Sequence, residues 1–138
     1  MEFWLFFDFG ILYRIISSHI IREQNLMGDN GPRVAGIAED LNVSAGTIEP
    51  LEQRIQDRNA IVRFFAGGDR SAADQITDQV AMNNGRIQNL EQIMQNTTLQ
   101  PDVQQAMQEQ ITALQQEQTR LSNLAGTEHN ATGLFWWL

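Results

Sequence analysis

The sequence predicts an all-α chain: a long antiparallel helical hairpin of coiled-coil type, preceded by one or two shorter helices and a hydrophobic N-terminal helix. Three observations predict it. Apolar residues recur at three- and four-residue spacing on both sides of one short polar stretch, "NTTLQP". That stretch ends in Pro101, a residue suited to the first position of a helix. Residues 3–21, "FWLFFDFGILYRIISSHII", form an apolar run long enough for a helix of membrane-span length.

The chain divides accordingly into a hydrophobic helix at 1–26, a helical domain at 27–132 with its hairpin at 70–126, and an aromatic tail at 133–138. Met27, at the composition boundary, is an alternative start that would make 1–26 an upstream extension. "GDNGPR" at 28–33 reads as a Gly/Pro loop, and "RVAGIAEDL" as a short helix. Thr47 is an N-cap candidate for the next helix, with Pro50 in its first turn. Ile48, Leu51, Ile55, Val62 and Phe65 supply that helix with one apolar face, and Gly67-Gly68 ends it.

Asp69 or Ser71 caps the third helix of this domain. Asn83-Asn84-Gly85 is a turn signal within it, but the apolar phase runs straight through, since Ile76 and Leu90 are two heptads apart. The helix therefore continues, with Gly85 the place for a kink. Its seam residues are Ile76, Val80, Asn83, Ile87, Leu90 and Met94. Those of the following helix are Val103, Met107, Ile111, Leu114, Gln118 and Leu121. Folding about residues 98–99 sets Leu90 opposite Met107, Ile87 opposite Ile111 and Ile76 opposite Leu121. At 1.5 Å per residue the hairpin is about 40 Å long. Polar Asn83 and Gln118 in such a seam fix register at a cost in stability. One narrow apolar stripe leaves a hairpin marginal by itself, so the preceding helix or a second copy is expected to cover it.

Composition narrows the chemistry. Among 138 residues there is no cysteine, which removes disulfides, thiol nucleophiles and thiolate metal sites. The formal net charge is −8, with nine cationic residues that are all Arg. Such a chain repels phosphate backbones and anionic surfaces at long range. His19 and His129 stand apart, His129 in what reads as the solvated loop "TEHNATG". No Ser/His/Asp grouping or carboxylate pair in an apolar setting stands out. "AGGD" at 66–69 lacks the further glycines and Lys of a phosphate loop. The expectation is a non-enzymatic protein with no catalytic residues, cofactor or metal.

The order "VAGIAEDLNVSAGTIEPLEQRI" at 34–55 resembles a helix-turn-helix, with small Ala38 and apolar Leu41, Val43, Ile48 and Leu51. The resemblance covers 22 residues, and it departs from the DNA-reading pattern where it matters. Ser44, Ala45, Thr47, Glu49, Pro50 and Gln53 would face the groove without one cation among them, whereas phosphate attraction supplies most baseline DNA affinity. Nucleic acid is therefore a disfavoured partner. Three N-x-[ST] sequons, at Asn42, Asn96 and Asn130, are expected at turns.

The aromatic residues are sorted to three places: six of eleven between Phe3 and Tyr13, two at Phe64 and Phe65, three at Phe135, Trp136 and Trp137. In the opening run, roughly a dozen Phe, Leu and Ile residues favour insertion by near −5 kcal/mol, while Arg14 alone costs about +3 kcal/mol. Asp8, His19 and the serines take the sum close to zero, so the run is a marginal span whose charges need partners on another helix. The contact candidates are Phe3, Trp4, Phe6, Phe7, Asp8 and Arg14 at one end, and Phe135, Trp136 and Trp137 at the other. Both ends suit a membrane interface or a protein interface.

The sequence thus reads as a structural, assembly or accessory subunit of a larger complex, with protein partners or copies of itself and membrane-associated, or otherwise cytoplasmic. The alternative is a helix-turn-helix regulator dimerised by its coiled coil.

Overall fold

Four helices make up the computed structural model, which describes residues 29–133: α1 (Gly31–Asp57), α2 (Ala60–Ala66), α3 (Arg70–Gln95) and α4 (Pro101–Asn130). All regular structure among the described residues is helical. α4 packs along α3, and α1 lies against α3.

Side-chain hydrogen bonds give the directions. Asn30 Nδ2 donates to Thr97 Oγ1 at 2.6 Å, Ser44 Oγ to Gln79 Oε1 at 2.8 Å, and Arg54 Nη2 to Asp69 at 3.1 Å. α1 therefore runs opposite to α3. Gln115 bonds Glu91 and His129 bonds Asp74, so α4 runs opposite to α3 as well. Arg120 of α4 reaches back to Glu52 of α1 at 2.8 Å. The result is an up-down-up arrangement about 40 Å long, from helices of 26 to 30 residues at 1.5 Å each.

Where the sequence suggested a loop, a short helix, a turn and a second helix, one 27-residue helix runs from Gly31 to Asp57. It is no shorter than α3, and no helix-turn-helix bend interrupts residues 34–55. Thr47 does not cap; its hydroxyl donates to the Val43 carbonyl one turn back. Pro50 sits inside the helix, where it removes one backbone bond and leaves the Gly46 carbonyl without its usual donor. Both residues are exposed, so water reaches that carbonyl, and Gly46 has open space where a Cβ would stand. The inner face holds the helix together across this defect: Val34, Ala38, Leu41, Ala45, Ile48, Glu52 and Ile55 are all buried, at alternating steps of four and three.

α3 passes through Asn83-Asn84-Gly85 without interruption. Asn83 is wholly buried, and its Oδ1 accepts from Arg86 Nη1 at 2.7 Å. Ile76, Val80, Ile87 and Leu90 are buried, as are Val103, Met107, Ile111, Leu114, Gln118 and Leu121 on α4. Met94 is half-buried and packs against the core, with its neighbour Ile93 the fully buried residue there. Ala72 and Ala73 are also buried, because small side chains let α1 approach the start of α3.

Helix ends follow local chemistry. Asp69 is the N-cap of α3, its carboxylate accepting from Ala72 N at 3.0 Å. That bond from the Ala72 amide, aided by Arg54 against the opposing effect of burial, holds the Asp69 carboxyl below its ordinary value of 3.8. A carboxyl depressed on folding stabilises the fold above its unfolded pKa, and the contribution is lost as pH falls through the lower folded value. Asp69→Ala should therefore cost about 1 kcal/mol in neutral buffer and almost nothing in strong acid, as measured by urea melts at both conditions. An equal cost at both would show that the cap does not act through its charge. α4 begins at Pro101 and continues four residues past 126, taking in Thr127 to Asn130, which the sequence reading assigned to a loop. Of the sequons, Asn42 lies inside α1 rather than in a turn, while Asn96 and Asn130 fall at helix ends.

Candidate contact surface at one end of the bundle

The chain leaves α1 at Arg58, whose backbone is extended, and Asn59 starts α2 by accepting from Val62 N at 2.8 Å. Gly67, at φ +83°, ends it. That φ lies in the region glycine adopts without strain. A Cβ on Gly67 would also stand 2.7 Å from the Ala131 carbonyl, and one on Gly68 would fall on the Glu128 carbonyl. The two glycines therefore let the α2–α3 turn press against the end of α4.

One buried carboxylate ties this end together. Glu128 is 4% exposed; it accepts from Arg63 Nη1 and, at 2.7 Å, from the Asp69 amide. Arg63 also donates to the Ile55 carbonyl at 2.9 Å, and Arg58 Nε donates to the Gly67 carbonyl at 2.7 Å. Gly68 N donates to Ala131 O, and Gly133 is buried against the Phe65 carbonyl and the Gly67 amide. The sequence alone places Glu128 in a solvated loop and gives no sign of this clasp, because the two partners are 65 residues apart.

The clasp fixes which way α2 faces. Its charged side chain, Arg63, is turned inward, and no α2 residue is buried. Ile61 is 72% exposed, Phe64 63%, Phe65 42% and Val62 39%. The Phe64 and Phe65 rings meet edge to face, 5.0 Å apart. Val62 and Phe65 were expected to extend the apolar face of Ile48, Leu51 and Ile55. They do not, because the break at Arg58 and Asn59 redirects the chain. A signal was present: Ile61 and Phe64 fall out of phase with the stripe through Ile48, Glu52 and Ile55.

Midway along the bundle a second polar group joins α1 to α4. Arg120 donates to Glu52 at 2.8 Å and to Glu117 at 2.6 Å, and both carboxylates are nearly buried. Burial pushes the Glu117 carboxyl up, opposed by Arg120 and reinforced by the charge of Glu52. Burial also opposes the charge on Arg120, yet its bonds to Glu117 and Glu52 hold it more firmly protonated than usual. The three charges satisfy one another and present no free group to a substrate.

Comparison with family models, curated proteins and solved structures finds no match. Function rests on the chain's own geometry.

Among the described residues, no group of His, Asp and Glu is placed to hold a metal ion, and no helix is long and apolar enough to cross a membrane. The contact candidates Phe3, Trp4, Phe6, Phe7, Asp8, Arg14, Phe135, Trp136 and Trp137 lie outside the described residues.

Proposed function

We propose that this chain is a non-enzymatic structural or accessory subunit that joins a larger, membrane-associated complex through the ends of its helical bundle. The observation that carries the reading is α2: four large apolar side chains stand exposed on a helix tied from behind by the Arg63–Glu128 pair. Single exposed apolar residues are ordinary, but a contiguous group marks an interaction surface. The buried steps of three and four on α3 and α4 support an antiparallel coiled-coil hairpin as the stiff element. The bundle also separates its ends. Asn30 meets Thr97 at one end, whereas Gly133 lies beside Phe65 at the other. The described residues therefore begin at one end of an approximately 40 Å rod and finish at the other.

Fractionation of cells producing the full chain, or the chain stopped after Gly133, tests this. The full chain should run with membranes or at high mass and the shortened one should shift toward free protein, with both remaining helical. Both chains running as free monomers would contradict the proposal.

A further inference from the structure

We propose that the outer face of α2 is a lipid-contact surface that beds into the interfacial zone of a bilayer. This rests on the contact role of the bundle's end argued above and names its counterpart. The face carries Ile61, Val62, Phe64 and Phe65, and the charge that α2 possesses is withdrawn behind it, Arg63 being held by Glu128 and the Ile55 carbonyl. The helix therefore offers no outward charge or hydrogen-bonding side chain of its own by which a polar protein surface would be recognised.

The position of the chain beyond α4 points the same way. Gly133, the last described residue, is lodged against the Phe65 carbonyl and the Gly67 amide, and the sequence continues from it as Leu-Phe-Trp-Trp-Leu. Trp and Phe are the side chains favoured where water meets lipid. Area argues against a second copy as the occupant. With roughly 150–250 Å² for each Phe side chain and somewhat less for Ile and Val, the exposed fractions of the four residues amount to on the order of 400 Å². Two such faces would bury about 800 Å², short of the roughly 1,200 Å² at which stable protein interfaces begin. A bilayer sets no such threshold and accepts a convex helix. The net charge of −8 further selects a zwitterionic surface over an anionic one.

The absence of cysteine permits a direct test on the full chain. Ile61→Cys, on α2, and Glu39→Cys, exposed at the far half of α1, are each labelled with an environment-sensitive fluorophore and mixed with phosphatidylcholine vesicles. At position 61 the emission should move to the blue and iodide quenching should fall severalfold when vesicles are added, while position 39 stays unchanged. Co-sedimentation with vesicles while the label at 61 remains fully quenched would overturn the α2 assignment and leave the contact role to other segments. Absence of co-sedimentation would overturn it too, and the fractionation above would then decide separately whether the chain joins an assembly. Shielding of position 61 already in buffer would also overturn it. If unaffected by dilution, the occupant is the chain's own segment; if lost on dilution, it is a second copy.

Discussion

Leu90→Asp is expected to abolish the cooperative melt of the full chain. Leu90 is 1% exposed, among the largest fully buried side chains, in the part of α3 that packs against α4. Removing a buried Leu side chain costs about 3–5 kcal/mol, and an uncompensated carboxylate in its place adds a desolvation cost of several kcal/mol more. Against a total stability on the order of 5–15 kcal/mol, the sum is enough to unfold a domain of this size. Gln92→Asp, on the exposed side of the same helix, adds the same charge and should change stability by less than about 0.5 kcal/mol. Circular dichroism showing unchanged helicity and melting for Leu90→Asp would refute the seam.

Arg120→Leu is expected to cost about 2–3 kcal/mol, because it strands Glu52 and Glu117 together in a nearly buried site. The figure is kept below the range for a fully buried pair because the Arg120 side chain is 31% exposed. The loss should depend on pH. Glu117 already has its pKa raised above 4.5 by burial, and removal of the guanidinium raises it further. A carboxyl whose folded pKa exceeds its unfolded value destabilises the fold when ionised. The variant's deficit should therefore be full at neutral pH and shrink as pH falls through the raised folded value toward 4.5. Replacing Glu52, Glu117 and Arg120 together by Leu should recover much of the loss, since a satisfied ion group and an apolar one are close in free energy. Urea melts across this range check both statements, and a deficit that grows in acid would contradict them.

What was legible in the sequence was the pair α3 and α4, and the reason is periodicity. Ile76 to Leu90 and Val103 to Leu121 keep one phase over many turns, and burial along that phase outweighed the Asn83-Asn84-Gly85 turn signal. α1 was not legible because three local signals, Gly46, Thr47 and Pro50, argued together for a break. All three are exposed, so their effect falls on the solvent side while tertiary burial of the opposite face decides the structure. The clasp of Arg63 and Glu128 was hidden because it is non-local and its residue types are ordinarily solvated. The exposure of α2 lay between these cases: the phase argument was available, but apolar identity suggested core.

We assign Ile61 and Phe64 to a contact surface and not to the core. Thermal melting of the full chain carrying Ile61→Asp and Phe64→Asp tests this most directly. Surface changes cost within about 0.5 kcal/mol each, or a few degrees together in a domain of this size. Unchanged helicity and a midpoint within about 5 °C of the parent are expected, together with weakened binding to phosphatidylcholine vesicles. A fall in the midpoint of about 15 °C or more would place these side chains in the core and contradict the assignment.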